Sequence, residues 1–276
     1  MSSRLLLRFS RVLAAAAALC LFATTQSSRL AIHAQSSCGA TINPIVCENG
    51  LPGDLASEWD VSGSGDASIQ GFATDISVVP GELVQFKIDT PSSNYRLDIY
   101  RMGYYSGRGA RRVTAPAGIL PSATLPQVQP PCLTDASGLI DCGNWGVSAS
   151  WAVPIDAVSG IYFAKLNRID TGGASHVFFI VREAAGASHK SDLLFQTSDT
   201  TWQAYNNYGG NSLYEGGPGT NPGRAYKVSY NRPFATRAVA GGQDWVFNAE
   251  YPMVRFLEAN GFDVSYSTGV DSDRNG

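Results

Sequence analysis

The chain has few of the residues on which familiar catalytic centres are built. It contains three histidines and five cysteines in 276 residues. It has no Gly-x-Ser-x-Gly turn, no His-Glu-x-x-His and no Gly-x-x-x-x-Gly-Lys-Ser/Thr. Those absences exclude the usual serine-hydrolase elbow, the zincin helix and the phosphate-binding loop. Lysine and arginine total 20 against 23 acids, and no basic run occurs, so nothing favours nucleic acid electrostatically. Past residue 34 no segment has the ~20 apolar residues of a membrane span.

The first thirty-four residues read as a leader rather than as fold. Arg4, Arg8 and Arg11 form a basic head, and residues 12–23 an apolar stretch too short to span a bilayer. Cleavage is expected after Ala34, although Ile32 is bulky for the minus-three position. Cys20 follows Leu19 rather than a small residue, which argues against a lipoprotein site. The head has no Arg-Arg pair, which favours ordinary secretion over the twin-arginine route. Removing residues 1–34 takes away four arginines and no acids, moving the formal charge from −3 to −7.

Cys38, Cys47, Cys132 and Cys142 then remain, an even number that suits an exported, disulfide-bonded chain. Three connectivities are possible. The spacings favour two local staples, Cys38–Cys47 and Cys132–Cys142, each contributing ~2–3 kcal/mol. Zinc thiolates are the weaker reading, because no Cys-x-x-Cys occurs and only His176 and His189 remain. Neither histidine has an evident partner, and both read as structural or solvated. Arg101, Arg111 and Arg112 read as solvated surface charges.

Four segments are expected: a leader over 1–34, a disulfide-stapled segment over 35–65, a β-sandwich over 66–183 and an α/β segment over 184–276. Before residue 184 the rhythm is β. Strands are expected at 69–76, 83–89, 95–101, 148–153, 160–167 and 175–181, with a turn at Val79-Pro80-Gly81-Glu82. Short strands without an amphipathic helix suggest an all-β, immunoglobulin-like sandwich. Residues 115–131, rich in proline and alanine, read as an edge excursion.

After residue 190 the rhythm changes. Residues 193–197 read as a buried strand, 249–259 as a helix with Pro252 in its first turn, and 262–267 as a second strand. Met253, Phe256 and Leu257 are expected on the helix's inner face. Strand, helix, strand starts a parallel sheet. Two strands and one helix leave a sheet face bare, so this α/β domain is expected to be incomplete, a fragment.

Between the first strand and the helix lies an aromatic, glycine-rich stretch holding Trp202, Tyr205, Tyr208, Tyr214, Tyr226 and Tyr230. Loops that long are usually functional or disordered, and the aromatics argue against disorder. The stretch also begins at a strand's carboxyl end, where open α/β sheets place ligands. A phenolate oxygen is a hard donor that suits ferric ion; packing or a glycan hydrogen bond is the plainer use of these tyrosines.

Three stretches carry a resemblance: Thr200-Thr201-Trp202-Gln203-Ala204-Tyr205-Asn206, then Phe247-Asn248-Ala249-Glu250, then residues 256–263, Phe-Leu-Glu-Ala-Asn-Gly-Phe-Asp. Together they resemble the C-terminal domain of the large (β) subunit of N,N-dimethylformamidase. The upstream residues 100–111 are similar to the hairpin of the sandwich preceding that domain. The resemblance implies a glutamine amidotransferase-like α/β domain and a mononuclear iron held by two tyrosines and a glutamate. It implies a metal-dependent amidohydrolase acting on non-peptide C–N bonds. Tyr205 is the ligand carried over. Tyr226, Tyr230 and Tyr251 compete for the second place, and Glu250 is the only carboxylate that could stand in for the third.

The residues support two functional readings. One is an exported relative of that amide hydrolase, inactive or incomplete as it stands, with a small-molecule amide as ligand. The other is a non-catalytic secreted module that binds glycan or polymer, with Tyr104, Tyr105 and Trp145 as stacking surfaces.

Overall fold

The structure is a computed structural model and describes residues 43–63, 65–216, 223–234 and 246–275. The expected leader and Cys38 lie outside the described residues. The protein is mixed, mostly β with few helices.

The chain enters through a short helix, α1 (Pro44–Asn49). Asn43 Oδ1 caps it by accepting the Ile45 N–H at 2.8 Å, with proline in the first turn. Next comes α2 (Ala56–Trp59). Sequence reading expected no helix here; the Asn-Pro pair was the available signal.

Two sheets then face each other. One comprises β1 (Gln70–Ala73), β3 (Leu83–Asp89) and β8 (Ala149–Ala152), in the order β1-β3-β8. The other is built from β2 (Ser77–Val78), β4 (Tyr95–Met102), β5 (Ala110–Arg112), β9 (Gly160–Arg168) and β10 (Ala174–Val181). Its order is β2-β10-β9-β4-β5, antiparallel except where β2 runs parallel to β10. The strand expected over 69–76 is shorter, ending at Ala73, and β2 follows it in the other sheet. Between β5 and β8, a hairpin of β6 (Leu133–Thr134) and β7 (Ile140–Asp141) is closed by the Cys132–Cys142 disulfide. Cys47 is disulfide-bonded as well.

The five-stranded sheet is buried on both faces. Leu97, Ile99, Leu166, Val177 and Phe179 meet Val84, Phe86 and Trp151 of the three-stranded sheet. Tyr100, Met102, Phe163, Phe178 and Ile180 point the other way, into a second core with Trp59, Trp202, Phe247, Val254 and Tyr266. β4 is therefore buried almost throughout, whereas β3, with one solvated face, alternates.

The second core is roofed by the α/β segment. It consists of β11 (Leu193–Gln196), α3 (Asp199–Tyr205), α4 (Val246–Ala249), α5 (Tyr251–Ala259), β12 (Val264–Ser267) and α6 (Gly269–Asn275). β11 and β12 pair in parallel, Leu193 opposite Val264. The inner face of this small sheet is not bare, because Val264 and Tyr266 pack into the second core. Residues 199–205, read as loop from sequence, are helical.

The expected inner face of α5 is corrected in part: Leu257 packs against the second core as expected, but Met253 and Phe256 do not. Val254 and Glu258 are buried, while Met253 and Phe256 are 48% and 57% exposed. The cause is a buried ion pair. Arg101, read as a surface charge, is wholly buried, and so is Glu258. Arg101 Nη2 donates to Glu258 Oε1 at 2.9 Å and Nη1 to Oε2 at 3.0 Å. Tyr266 donates its hydroxyl to Oε1 at 2.8 Å, and Asn49 Nδ2 donates to Oε2 at 2.8 Å. Arg111 is not free surface either, since it grips Glu48 through Nε at 2.8 Å and Nη2 at 2.6 Å. Burial works against the Arg101 charge, but Glu258, Tyr105 and Glu48 outweigh it and push its pKa up.

Removing one partner of such a pair strands a buried charge. Glu258→Leu is expected to cost about 3–5 kcal/mol in urea unfolding, and Arg101→Met a similar amount, while the double variant recovers most of the loss. A single substitution costing under ~1 kcal/mol would show that the charges are not coupled as the geometry states.

Candidate functional site

The polar residues around the tyrosine stretch are placed from the carboxyl ends of β11 and β12. Thr197 follows β11, Ser198 stands before α3, and Asp199 opens the helix. Asp199 is wholly buried. Its Oδ1 accepts the Thr197 hydroxyl at 2.9 Å and the Gly269 N–H at 2.7 Å. Its Oδ2 accepts the Tyr230 hydroxyl at 2.7 Å. Burial, reinforced by the hydrogen bond and charge of Asp199, drives the Tyr230 phenol far above the ordinary tyrosine pKa.

Glu250 sits beside this cluster. Its Oε1 accepts the Ser198 N–H at 2.7 Å, the Ser198 hydroxyl and the Trp202 indole N–H at 3.2 Å. It is thus an acceptor for the start of α3, although it precedes α5 in sequence.

At the far end of α3, Tyr205 lies face to face with Tyr214, ring centroids 4.2 Å apart. Arg232, which bonds the backbone at this end of α3, is wholly buried. Its Nη1 donates to Asn211 O at 2.8 Å and Tyr208 O at 3.4 Å, and its Nη2 to Gln203 O at 3.1 Å. Its Nε and the Gln203 Oε1 are buried without a partner. Burial alone lowers the Arg232 pKa to about 10. Asn206 Nδ2 closes the arrangement on Pro233 O at 2.9 Å.

The other expected residues are dispersed. Tyr226 is exposed, beneath the Arg224 guanidinium at 5.9 Å. Tyr251 belongs to the aromatic stack of Trp59 and Phe247, at 6.0 and 5.7 Å. Tyr105 and Trp145, considered as stacking surfaces, are 1% and 4% exposed and offer no face to a glycan. His176 Nε2 stands 2.7 Å from Trp59 O in the core. His189 does have a neighbour, Asp263, at 2.7 Å.

The donors implied for iron can be tested against this arrangement. The described contacts pair Tyr205 with Tyr214 and Tyr230 with Asp199. These pairs lie at opposite ends of α3, about 9 Å apart along its axis. Glu250 spends three hydrogen bonds on holding α3. No three His, Cys, Asp or Glu side chains gather among the described residues. Two tyrosines and a carboxylate therefore do not converge among the described residues, and these do not fit a complete three-ligand site. Asp199, Gln203 and Arg232 were missed in the sequence. Only Asp199 had a signal, as an acid just after Ser198 at a strand end.

These features define a mostly β protein that carries a polar, tyrosine-rich site on a small parallel α/β element. Residues 96–276 match the family described as N,N-dimethylformamidase beta subunit-like, C-terminal. The match spans about two thirds of the chain, and the chain belongs to that family. It begins inside β4, so it takes in most of the five-stranded sheet as well as the tyrosine stretch. No curated protein matches the chain. Among solved structures, the titin Ig tandem domains A164-A165 match at 9% identity and a TM-score of 0.24, over 50% of this chain and 58% of that one. A TM-score so low carries no argument.

The phenols generate a pH prediction. Burial pushes Tyr95 up to about 12, and pushes Tyr100, Tyr162 and Tyr230 up as well. A raised folded-state pKa means that the native state holds more protons, so this stability is complete below pH ~10 and is lost as pH rises past it. Unfolding free energy measured from pH 8 to 11 is expected to fall. Asp199→Asn removes the carboxylate's share and should bring the Tyr230 ultraviolet titration to lower pH. An unmoved titration would show that Asp199 does not set it.

Proposed function

We propose that this chain is an exported member of the dimethylformamidase-type amide hydrolases that carries only part of an iron site and does not hydrolyse amides as it stands. Family membership over residues 96–276 carries the relation. The separation of the Tyr205–Tyr214 pair from the Tyr230–Asp199 pair supports the incomplete site. The substrate class of the complete enzyme would be a small non-peptide amide. Tyr205 is the residue of this chain that we propose as its remaining iron donor. Two facing sheets support an immunoglobulin-like reading of the strands before residue 184, and the parallel β11–β12 pair supports an amidotransferase-like reading of residues 193–275. An incomplete α/β segment is supported by Leu194 of β11, which is 68% exposed.

Two measurements test this. Protein recovered from the medium of a secreting host should begin at Gln35 by N-terminal sequencing; a retained Met1 would remove export. Residues 35–276 should hold well under one iron per chain and leave N,N-dimethylformamide intact. One iron per chain that is lost in Tyr205→Phe, together with hydrolysis, would overturn the incomplete site.

A further inference from the structure

The hairpin between β5 and β8 is pressed into the tyrosine stretch. Asn231 gives its carbonyl to the Cys142 N–H at 2.7 Å. Asp141 Oδ2 accepts the Ser229 hydroxyl at 2.5 Å and Asn231 Nδ2 at 3.3 Å. The Tyr226 N–H donates to Ser137 O at 2.8 Å, and Asn211 Nδ2 to Gly138 O at 3.0 Å. Lys227 pairs with Asp135 at 3.0 Å. The two surfaces have no slack. A Cβ on Gly209 would meet the Ile140 side chain at 2.7 Å, and one on Gly138 the Ala225 backbone at 3.0 Å.

The hairpin's own ladder is weak. Each strand has two residues, and Leu133 and Thr134 are both exposed. Isolated two-stranded hairpins are marginal in water, so the Cys132–Cys142 closure supplies much of its order. These contacts place that order directly against residues 225–231, just before Arg232.

We propose that the Cys132–Cys142 hairpin is a redox-dependent buttress of the tyrosine stretch. Closed, it holds residues 225–232, and with them Tyr230 and Arg232, in position. Opened, it releases that segment while the sandwich stays folded. Opening is a two-electron reduction: a dithiol delivers two electrons and two protons, the S–S bond breaks to two thiols, and the dithiol becomes a cyclic disulfide. Cys142 is wholly buried and Cys132 partly exposed, which makes the Cys132 sulfur the accessible point of attack.

The test is amide hydrogen exchange by mass spectrometry on residues 35–276. It uses neither iron nor activity, so it stands or fails apart from the proposed function. Because Cys47 is also in a disulfide, substitution isolates the effect better than bulk reductant. In the double variant Cys132→Ser, Cys142→Ser, exchange in residues 225–232 should quicken by about tenfold or more, with β9 and β10 unchanged. Asp141→Ala keeps the disulfide and cuts the ties to Ser229 and Asn231, and should quicken the same segment by a smaller factor. Exchange quickened only within residues 132–142, or equally in β9 and β10, would overturn the proposal.

Discussion

The Arg101–Glu258 pair is the contact on which the arrangement of the second core depends. Two ions removed from water cost several kcal/mol each unless their hydrogen-bonding capacity is met. Meeting all of it but the Arg101 Nε draws in α1 through Asn49, β12 through Tyr266, and the residue before β9, Ser159, whose carbonyl accepts Arg101 Nη2 at 2.8 Å. It also fixes a turn of unusual backbone. Tyr105 and Ser106 have φ of 43° and 54° without being glycine. Such conformations persist only where surroundings over-determine them. Here Asn49 Oδ1 accepts the N–H groups of Tyr104 and Tyr105 at 2.8 and 2.9 Å, and the Tyr105 hydroxyl donates to Glu48 at 2.7 Å.

The same contact explains why α5 lies as it does. Apolar spacing alone points Met253 and Phe256 inward, but Glu258 can reach Arg101 only if the Val254–Glu258 stripe faces the sheet. One buried charge thereby outweighs the burial of two large apolar side chains. Both are already about half covered, so burying the remainder of the two would favour the other face by about 1.5–3 kcal/mol together, less than the ~3–5 kcal/mol cost of leaving Arg101 unpaired. Periodicity carried no trace of this, because the partner lies 157 residues away. What was legible in the sequence was local. The alternation of residues 83–89 reads directly as β3, while β4, covered on both faces, shows that a polar residue such as Arg101 within a strand need not point to water. The Asn43-Pro44 start of α1 is equally local, but the surrounding segment has no apolar stripe to mark it as a helix.

The candidate site divides along the same line. Composition marked the tyrosine stretch, since aromatics in a glycine-rich run argue for order. The helix within it was hidden because α3 has one large apolar anchor, Trp202, and no repeat. Glu250 illustrates the limit of helix-end arguments. Its position suggests service to α5, yet its carboxylate caps α3, a partner set by the crossover from β11 to β12.

Arg232 shows how such a stretch is held without a regular ladder. A wholly buried guanidinium with no carboxylate beside it among the described residues loses hydration that no described charge replaces, and its pKa falls. It remains tolerable because three carbonyls, from Gln203, Tyr208 and Asn211, direct their partial negative charge at it. Those carbonyls belong to the end of α3 and to the turns after it, so the cation gathers backbone that has no sheet to join. Two residues earlier Tyr230 is tied to Asp199 at the other end of α3, and one residue earlier Asn231 is tied to the disulfide hairpin. Three fastenings on three consecutive residues leave the segment little freedom to shift alone. Its geometry is therefore inherited from α3 on one side and from the sandwich excursion on the other.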